Sequence, residues 1–177
     1  QMFNLVYDNH RITFGDANVG FFTEVDEVTI GNQVWKTRNL AIDDNGGGIT
    51  IVNGEYYYTQ DAAIRVAATV TGWHLPSTEE FDTLITNAGG FNGLASVESW
   101  TYGGGDNSSG FGALAKGYIF AIMDPNNPVS VGTNATYWSS NASNQYSMSL
   151  NHRSDSVGSV DVGRHAANSA SVRLIKD

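Results

Sequence analysis

Glu79, Glu80 and His74 are the residues of the first half whose types and spacing come closest to catalytic chemistry. Two neighbouring helical residues point in different directions, so Glu79 and Glu80 cannot face one substrate as the carboxylate pair of a glycosidase does. Ser77 precedes Glu80 by three residues, which is the spacing of a capping box and gives Glu80 a structural role. His74 lies in a turn between two apolar residues, where a hydrogen-bonded structural histidine is favoured over a catalytic one. These residues therefore predict a stabilised helix start and no active site.

Metal and cofactor chemistry lacks a complete motif. Residues 43–48 read Asp-Asp-Asn-Gly-Gly-Gly, whose oxygens suit calcium, but the spaced acids and the final Glu of an EF-hand loop are missing. The histidines are not spaced as zinc ligands, and a chain without cysteine has no thiolate chemistry. No Gly-x-Ser-x-Gly turn marks a serine hydrolase. We predict a non-enzymatic protein with no catalytic residue, no metal site and no cofactor.

The composition limits the class of protein. A chain of 177 residues can form one domain with a sizeable core, and 11% aromatic with 15% charged residues indicates a folded chain. The net charge of -9 argues against nucleic acid as a partner, since phosphate binding needs clustered Lys and Arg. No apolar run approaches the ~20 residues of a membrane span, so we expect no membrane insertion. Because Gln1 stands where an initiator Met would be, we expect a removed leader and an exported domain.

Two helices are predicted in the first half of the chain. The first covers residues 60–68 behind Thr59 as its cap. The second begins after Ser77 and ends at Gly89-Gly90. Its apolar residues at helical spacing are Phe81, Leu84, Ile85 and Ala88. We expect Trp73 and Leu75 to fill the same core as this apolar stripe.

The other predicted elements are strands and loops. We predict a β-hairpin over residues 28–35 with Gly31-Asn32 at its tip, and a long surface excursion over the Gly- and Ser-rich residues 91–110. Further strand signals fall at residues 111–120, 136–140, 146–150, 159–162 and 171–175. Residues 1–27 are expected to form an N-terminal extended arm or short strands, and residues 28–177 the main domain. Helices in front and short strands behind are typical of an α+β fold, with two helices packed on short, mostly antiparallel strands and many loops.

Five short motifs follow one another over residues 28–177. They are Ile30-Gly31-Asn32-Gln33-Val34-Trp35 with Asn39-Leu40, Gly72-Trp73-His74-Leu75-Pro76-Ser77, Gly110-Phe111 with Ala113-Leu114 and Gly117-Tyr118, Tyr137-Trp138-Ser139-Ser140, and Ser171-Val172-Arg173 with Lys176-Asp177. In this order they resemble the Fibrobacter succinogenes major paralogous domain, a family with a C-type-lectin-like fold. Family members often have a cysteine pair where Thr69 and Leu174 stand here, so the resemblance implies a last strand held by packing alone.

The fold that the resemblance implies also occurs in sugar-binding proteins and in enzymes. Asp124-Pro125-Asn126 is similar to the Glu-Pro-Asn motif of true C-type lectins, but the companion Trp-Asn-Asp is missing because Ser139 and Ser140 follow Trp138. Formylglycine-generating enzymes share this type of fold, and their chemistry needs a thiol. The resemblance thus implies a binding scaffold, and a fold alone does not fix the ligand.

Some family members are variable proteins of diversity-generating retroelements, which randomise adenine-containing codons near the C-terminus. In residues 147–150 and 159–163, apolar residues alternate with small or polar ones. A period of two places Met148, Leu150, Val160 and Val162 towards the core and Ser147, Ser149, Asp161 and Gly163 towards water. The outward residue types can all be reached from an asparagine codon by changing its adenines, although any solvent-facing strand also carries mixed polar residues. The predicted ligand-binding residues are Tyr146, Ser147, Ser149, Asn151, His152, Arg153, Asp155, Ser159, Asp161, Gly163, Arg164, His165 and Asn168.

We therefore predict a ligand-binding domain of the receptor or adhesin type that displays a diversified surface near its C-terminus. Its partner would be a protein or glycan on another cell or surface. Its location would be extracellular, on the cell surface or on a phage particle. The alternative is a structural module of the cell envelope or surface without a specific ligand. The apolar residues 1–30 could pack in cis or on a second copy, so a homo-oligomer also stays open.

Overall fold

The computed structural model describes residues 26–141, 146–152, 156–161 and 166–177, and two strands within residues 1–25. For those two strands, for Tyr146 and for residues 156–161 it describes the backbone alone. These residues form a mixed α+β fold with short antiparallel strands and many loops, as predicted.

The helices are α1 (Gln60–Ala67), α2 (Thr78–Ala88) and α3 (Gly90–Leu94). The strands are β1 (Leu5–Asp8), β2 (Arg11–Phe14), β3 (Glu27–Ile30), β4 (Gln33–Lys36), β5 (Ile49–Val52), β6 (Glu55–Thr59), β7 (Trp73–His74), β8 (Asn134–Trp138), β9 (Tyr146–Asn151), β10 (Ser156–Asp161), β11 (Ser169–Ala170) and β12 (Ile175–Lys176). They pair into four sheets with the orders β1-β2, β10-β9-β8, β11-β6-β5 and β3-β4-β12-β7.

The predicted local signals set the boundaries of α1, α2 and the first hairpin of the main body. Thr59 accepts a hydrogen bond from the amide of Ala62 and caps α1. Ser77 Oγ accepts from the amide of Glu80 at 3.2 Å, and the Glu80 carboxylate accepts from the amide of Ser77 at 2.8 Å, which completes the capping box. Gly89 ends α2 with a φ of 77°, a conformation that glycine adopts without a steric penalty. The β3–β4 hairpin turns at residues 31–32 as predicted.

The core has two parts, and β8 lies between them. In the first part the Trp35 ring stacks on Phe81 at 5.6 Å and meets the edge of Phe111 at 5.7 Å. The second part is built around Tyr58, Val66, Trp138 and Val172. Successive residues of a strand point to opposite faces, so Tyr137 enters the first part and its neighbour Trp138 enters the second. β8 is therefore buried on both faces.

The expectation that Trp73 and Leu75 share a core with Phe81 is wrong. Leu75 belongs to the second part of the core, and the partly buried Trp73 packs against that same part. The ammonium of Lys36 lies 4.2 Å from the centre of the Trp73 ring. The apolar stripe of α2 faces the first part of the core, whereas the chain that leads into α2 borders the second.

The prediction of a surface excursion at residues 91–110 is wrong for residues 91–96 and for Trp100, most of which are buried, whereas residues 97–99, 101–103, 106 and 108 are exposed. Residues 90–94 form α3, and Phe91, Leu94 and Trp100 are buried in the first part of the core. The glycines here permit close packing: a Cβ on Gly93 would lie 1.7 Å from the carbonyl oxygen of Ala88. A Gly- and Ser-rich composition therefore marked a segment whose first part is packed into the core and whose second part is an exposed loop.

Two predicted strands are interrupted. Within residues 111–120 the backbone makes only isolated bridges, and glycines at positions 112 and 117 have φ values of 64° and 67°, which end an extended chain. The predicted strand at residues 171–175 is divided, because β12 begins at Ile175 while Ser171 forms a single bridge to Tyr137. β12 lies between β4 and β7, so backbone pairing on both sides holds the end of the described chain.

The guanidinium of Arg173 is buried at the centre of this arrangement, with 1% of the residue exposed. Its Nε and Nη2 donate to Asn39 Oδ1 at 3.2 and 2.8 Å, and its Nη1 donates to the carbonyl oxygens of Lys36 and Phe111. The same group lies 4.5 Å from the centre of the Phe111 ring and 5.4 Å from that of Tyr137. Arg173 thus joins the chain after β4, the segment before β8 and β8 itself.

Replacing Ser77 with Ala should lower the free energy of unfolding by about 1 kcal/mol, because the first turn of α2 loses its side-chain cap. Thr83→Ala is the matched control, since Thr83 is an exposed hydroxyl residue within the same helix and should change stability by at most ~0.5 kcal/mol. Urea denaturation measures both values, and equal effects of the two substitutions would contradict the capping role.

Candidate ligand-binding surface

The register of β8, β9 and β10 decides which predicted site residues share a face. Opposed residues of an antiparallel pair lie on the same face. Thr136 opposes Ser149, and their hydroxyl oxygens are 3.3 Å apart, whereas Tyr137 opposes Met148. Met148 and Leu150 are buried in the first part of the core as predicted. β9 is thus a strand with an apolar face and a serine face.

The expectation that Ser147 and Ser149 face water is wrong. Ser147 is 1% exposed and Ser149 is 8% exposed, so β9 is buried on both faces over these positions. Alternation along a strand predicts an exposed face only when one side of the sheet is open to solvent. At Ser147 and Ser149 both sides of β9 are covered. Both serines therefore belong to the frame of the domain.

The assignment of Val160 to the face of Met148 is also wrong. The register places Val160 opposite Ser147, and Val157 opposite Leu150. Positions 157 and 160 are three residues apart and so lie on different faces of the strand. Ser159 opposes Met148 and Asp161 opposes Tyr146, so the predicted site residues of β9 and β10 are divided between the two faces.

Asn168 is a third predicted contact that the structure places inside. The residue is 1% exposed, and its Oδ1 accepts a hydrogen bond from the amide of Ala121 at 3.0 Å. The side chain fixes the turn that follows Ile119, whose backbone pairs with that of Ser169. Asn168 is therefore a structural residue.

The remaining predicted contacts fall into two groups. Asn151 and His152 are half-buried at the C-terminal end of β9. The positions whose side chains lie outside the described residues are Tyr146, Arg153, Asp155, Ser159, Asp161, Gly163, Arg164 and His165.

Asn151 and His152 lie beside residues from two loops, and together they form the strand-end surface. We define this surface by Tyr102, Val131, Thr133, Asn134, Asn151 and His152. Asn134 opposes Asn151 in the sheet, and the amide of His152 donates to the carbonyl of Thr133 at 3.0 Å. Tyr102 stacks on His152 with ring centres 5.7 Å apart and an angle of 12°. The strand-end surface therefore brings an aromatic stack to the edge of the β10-β9-β8 sheet.

Sequence reasoning missed Tyr102 and Val131. Tyr102 is 68% exposed and Val131 is 55% exposed, although both are large and apolar. The amide of Thr101 donates to the carbonyl of Gly132 at 2.8 Å and so joins their two loops. An aromatic residue followed by Gly103-Gly104-Gly105 was the available signal, but glycines gave that segment the pattern of an ordinary loop.

A second cluster of polar groups surrounds His74. Its Nδ1 lies 2.8 Å from the carboxylate of Asp177, and its Nε2 lies 3.0 Å from that of Glu80. Burial, the largest single influence, lowers the pKa of His74, but the two carboxylates outweigh it and hold the pKa above the ordinary value of 6.5. The imidazole connects α2 to the end of β12, so the cluster has the structural role predicted for His74.

The Asp residues of the loops at residues 43–48 and 124–127 make local interactions. The side chain of Arg65 binds Asp44 through two nitrogens at 2.7 and 3.0 Å, and this interaction lowers the pKa of Asp44 to about 2. The carboxylate of Asp124 accepts from the amides of Asn126 and Asn127, which forms the turn around Pro125. Within the residues that the structure describes, no group of three or more His, Asp and Glu side chains is placed to hold a metal ion.

The chain was compared with models of protein families, with curated proteins and with solved structures, and none of the three comparisons finds a match. Among the described residues no helix combines the length and apolar character needed to cross a membrane.

Asp177→Asn should lower the pKa of His74, because it removes one of the two carboxylates that favour the imidazolium. Glu79→Gln is the matched control, since Glu79 accepts a hydrogen bond from the Thr78 hydroxyl at 3.2 Å and removing its charge should leave His74 unaffected. An NMR titration of the His74 ring protons measures the pKa in each variant, and the same pKa in Asp177→Asn and the unmodified chain would refute the assignment.

The raised pKa also predicts how stability depends on pH. A pKa that is higher in the folded than in the unfolded chain adds stability below 6.5, and this contribution is lost as the pH rises through the folded-state pKa. The free energy of unfolding should therefore fall less between pH 6.5 and alkaline pH in His74→Gln than in the unmodified chain. Parallel urea denaturation curves for the two proteins across this range test the prediction.

Proposed function

We propose that this chain is a non-enzymatic ligand-binding domain with a C-type-lectin-like fold. Its contact surface lies near the C-terminus, as in the variable proteins of diversity-generating retroelements. The observation that carries the proposal is the strand-end surface. There the half-buried Asn151 and His152 lie at the end of β9, and β9 and its neighbour β8 are buried on both faces. Such a frame holds the backbone of the contact positions in place when their residues are substituted from one variant to another.

The convergence of the family-like motifs supports the proposed fold. Asn39, Phe111 and Tyr137 come from three separate motifs, and all three contact the guanidinium of Arg173 from a fourth. Trp73 and His74 of the remaining motif pair with β12 next to Arg173. Short motifs that are scattered along the chain thus serve one packing arrangement.

The structure narrows the proposed contact set. Ser147, Ser149 and Asn168 are buried and belong to the frame. The proposed contacts that remain are Asn151 and His152, together with Tyr146, Arg153, Asp155, Ser159, Asp161, Gly163, Arg164 and His165, whose side chains lie outside the described residues. Polar residues of this kind, next to tyrosine, make adaptable hydrogen bonds in antibody loops. The ligand is proposed to be a protein or glycan outside the cell, with the domain exported, surface-bound or carried on a phage particle.

Ser149→Arg and Asn151→Arg compare a frame position with a proposed contact position on the same strand. The first should lower the free energy of unfolding by roughly 3 kcal/mol or more, because it forces a charge into a buried site. The second should change it by at most ~0.5 kcal/mol, since the strand ends there. Chemical denaturation measures both, and an equal loss at the two positions would remove Asn151 from the contact set.

A display library tests the ligand-binding function itself. Residues 151, 153, 155, 164 and 165 are randomised over the codons that adenine changes produce from asparagine, and the library is selected against several unrelated folded proteins. We expect folded members and specific binders. A matched library randomised at residues 147, 149 and 168 should lose folded members. If the first library unfolds as often as the second, or yields no binder against any target, the structural surface module replaces the present proposal.

The DNA downstream of the gene tests the diversified class separately. A near-identical repeat of the C-terminal coding segment that differs at adenines, next to a reverse transcriptase gene, is expected. A complete genomic neighbourhood without such a repeat would contradict diversification.

A further inference from the structure

Tyr102 is a large side chain held in place at the surface. The ring stacks on His152, while 68% of the residue is exposed, so its opposite face and its edge are open to solvent. Burial of the open face against a ligand would remove a large apolar area from water. An exposed ring of this kind is a binding element only if it is fixed before the ligand arrives.

The position of Tyr102 is fixed through the core. The His152 ring lies 5.9 Å from Phe91 and 6.4 Å from Trp100, and these two rings meet edge to face at 5.1 Å. The Trp100 indole nitrogen donates to the carbonyl of Ala113 at 3.2 Å. A continuous series of rings therefore runs from the buried Phe91 to the open face of Tyr102, and the stack on His152 restricts the Tyr102 ring before a ligand binds.

The backbone beside Tyr102 is held as well. Thr101 donates from its amide to Gly132, and a Cβ on Gly132 would lie 2.2 Å from Thr101 Oγ1. Gly132 has a φ of 82°, in the region where glycine is favoured. The hydrogen bond therefore joins the loop of Tyr102 to the loop that carries Val131 and Thr133.

The polar members of the strand-end surface are Thr133, Asn134, Asn151 and His152. The Thr133 hydroxyl donates within the chain, to the carbonyl oxygen of Ser130 at 3.1 Å or to Asn134 Oδ1 at 3.0 Å, so its oxygen serves as an acceptor. The amide of Asn134 and the phenol of Tyr102 supply neutral donors and further acceptors. No member of the strand-end surface is Asp, Glu, Lys or Arg. A neutral ligand with many hydroxyl groups finds hydrogen-bonding partners among these six residues.

We propose that Tyr102 is a platform on which a neutral saccharide ring packs, with hydroxyl groups of the sugar bonded to Thr133 and Asn134. The C–H face of a pyranose is weakly positive and apolar, and it complements the negative face of an aromatic ring. This inference rests on the proposed function, and it names the ligand class of the strand-end surface. It needs no metal ion, in contrast to the sugar site that the Asp124-Pro125-Asn126 similarity suggests. Tyr102 and the His152 ring that supports it lie outside the positions randomised in the display library, so together they provide a constant contact beside changeable ones.

Other ligand classes fit less well. A quaternary ammonium ion is bound by several ring faces that surround it, and Tyr102 offers one open face. A protein partner that buried this surface would have to satisfy the hydroxyl and amide groups at its rim, which costs free energy for each group left unpaired. A sugar supplies several hydroxyl groups that can both donate to and accept from such side chains.

Titration of the full chain with cellotetraose, maltotetraose and tetraacetylchitotetraose tests the proposal. The ring resonances of Tyr102 in ¹H–¹³C NMR spectra should shift with at least one of these neutral saccharides. Tyr102→Ala should weaken that binding by about tenfold, the factor that corresponds to ~1.4 kcal/mol. Tyr102→Phe keeps the ring and should retain most of the affinity. Ile122→Ala is the matched control, because Ile122 is an equally exposed apolar residue at 67%.

The proposal is overturned if none of the three saccharides shifts the Tyr102 resonances at millimolar concentration. It is also overturned if Tyr102→Ala folds, as judged by its thermal unfolding, and binds as tightly as Ile122→Ala. Protein binders from the display library that tolerate Tyr102→Ala, together with an absence of saccharide binding, would reject the saccharide platform and leave the ligand-binding function standing. If the saccharide titration and the display library both fail, the saccharide platform and the ligand-binding function are rejected together.

Discussion

The burial of one cation, the Arg173 guanidinium, is the constraint on which the rest of the domain depends. A buried charge costs several kcal/mol unless hydrogen bonds replace its hydration. Here an amide oxygen and two backbone carbonyls accept those bonds, and the rings of Phe111 and Tyr137 pack against the planar group. These partners are far apart in sequence, so the cation is satisfied only when the segments that carry them are assembled correctly.

This assembly explains how a loop-rich chain can hold a binding surface still. Tyr137 contacts the guanidinium, and the strand that carries it is packed on both faces and pairs with β9. The chain emerges from that packed region at Asn151 and His152, which border Tyr102. Asn151 is half-buried where β9 ends, whereas Ser147 and Asn168 are buried, so substitutions at these two positions act on the frame.

The sequence predicted the features that depend on near neighbours. The caps at Thr59 and Ser77 and the turn at Gly31-Asn32 depend on residues within four positions of each other, and all three are observed. The faces of β9 and β10 depend on strand pairing and on what covers each side of the sheet, and alternation along one strand carries neither kind of information. Tyr102 could not be found because its exposure and its stacking partner follow from contacts between residues 50 positions apart.

The stability of Arg173→Lys tests this account most directly, because lysine keeps the charge but cannot reach the same acceptors with a planar fork. Arg65→Lys is the control, since Arg65 binds Asp44 at the surface and its replacement should cost at most ~1 kcal/mol. We predict that Arg173→Lys lowers the free energy of unfolding by about 3 kcal/mol in urea denaturation and broadens the NMR resonances of Tyr102 and His152. Equal stability of the two variants, with the Tyr102 and His152 resonances unchanged, would contradict the central role of the buried guanidinium.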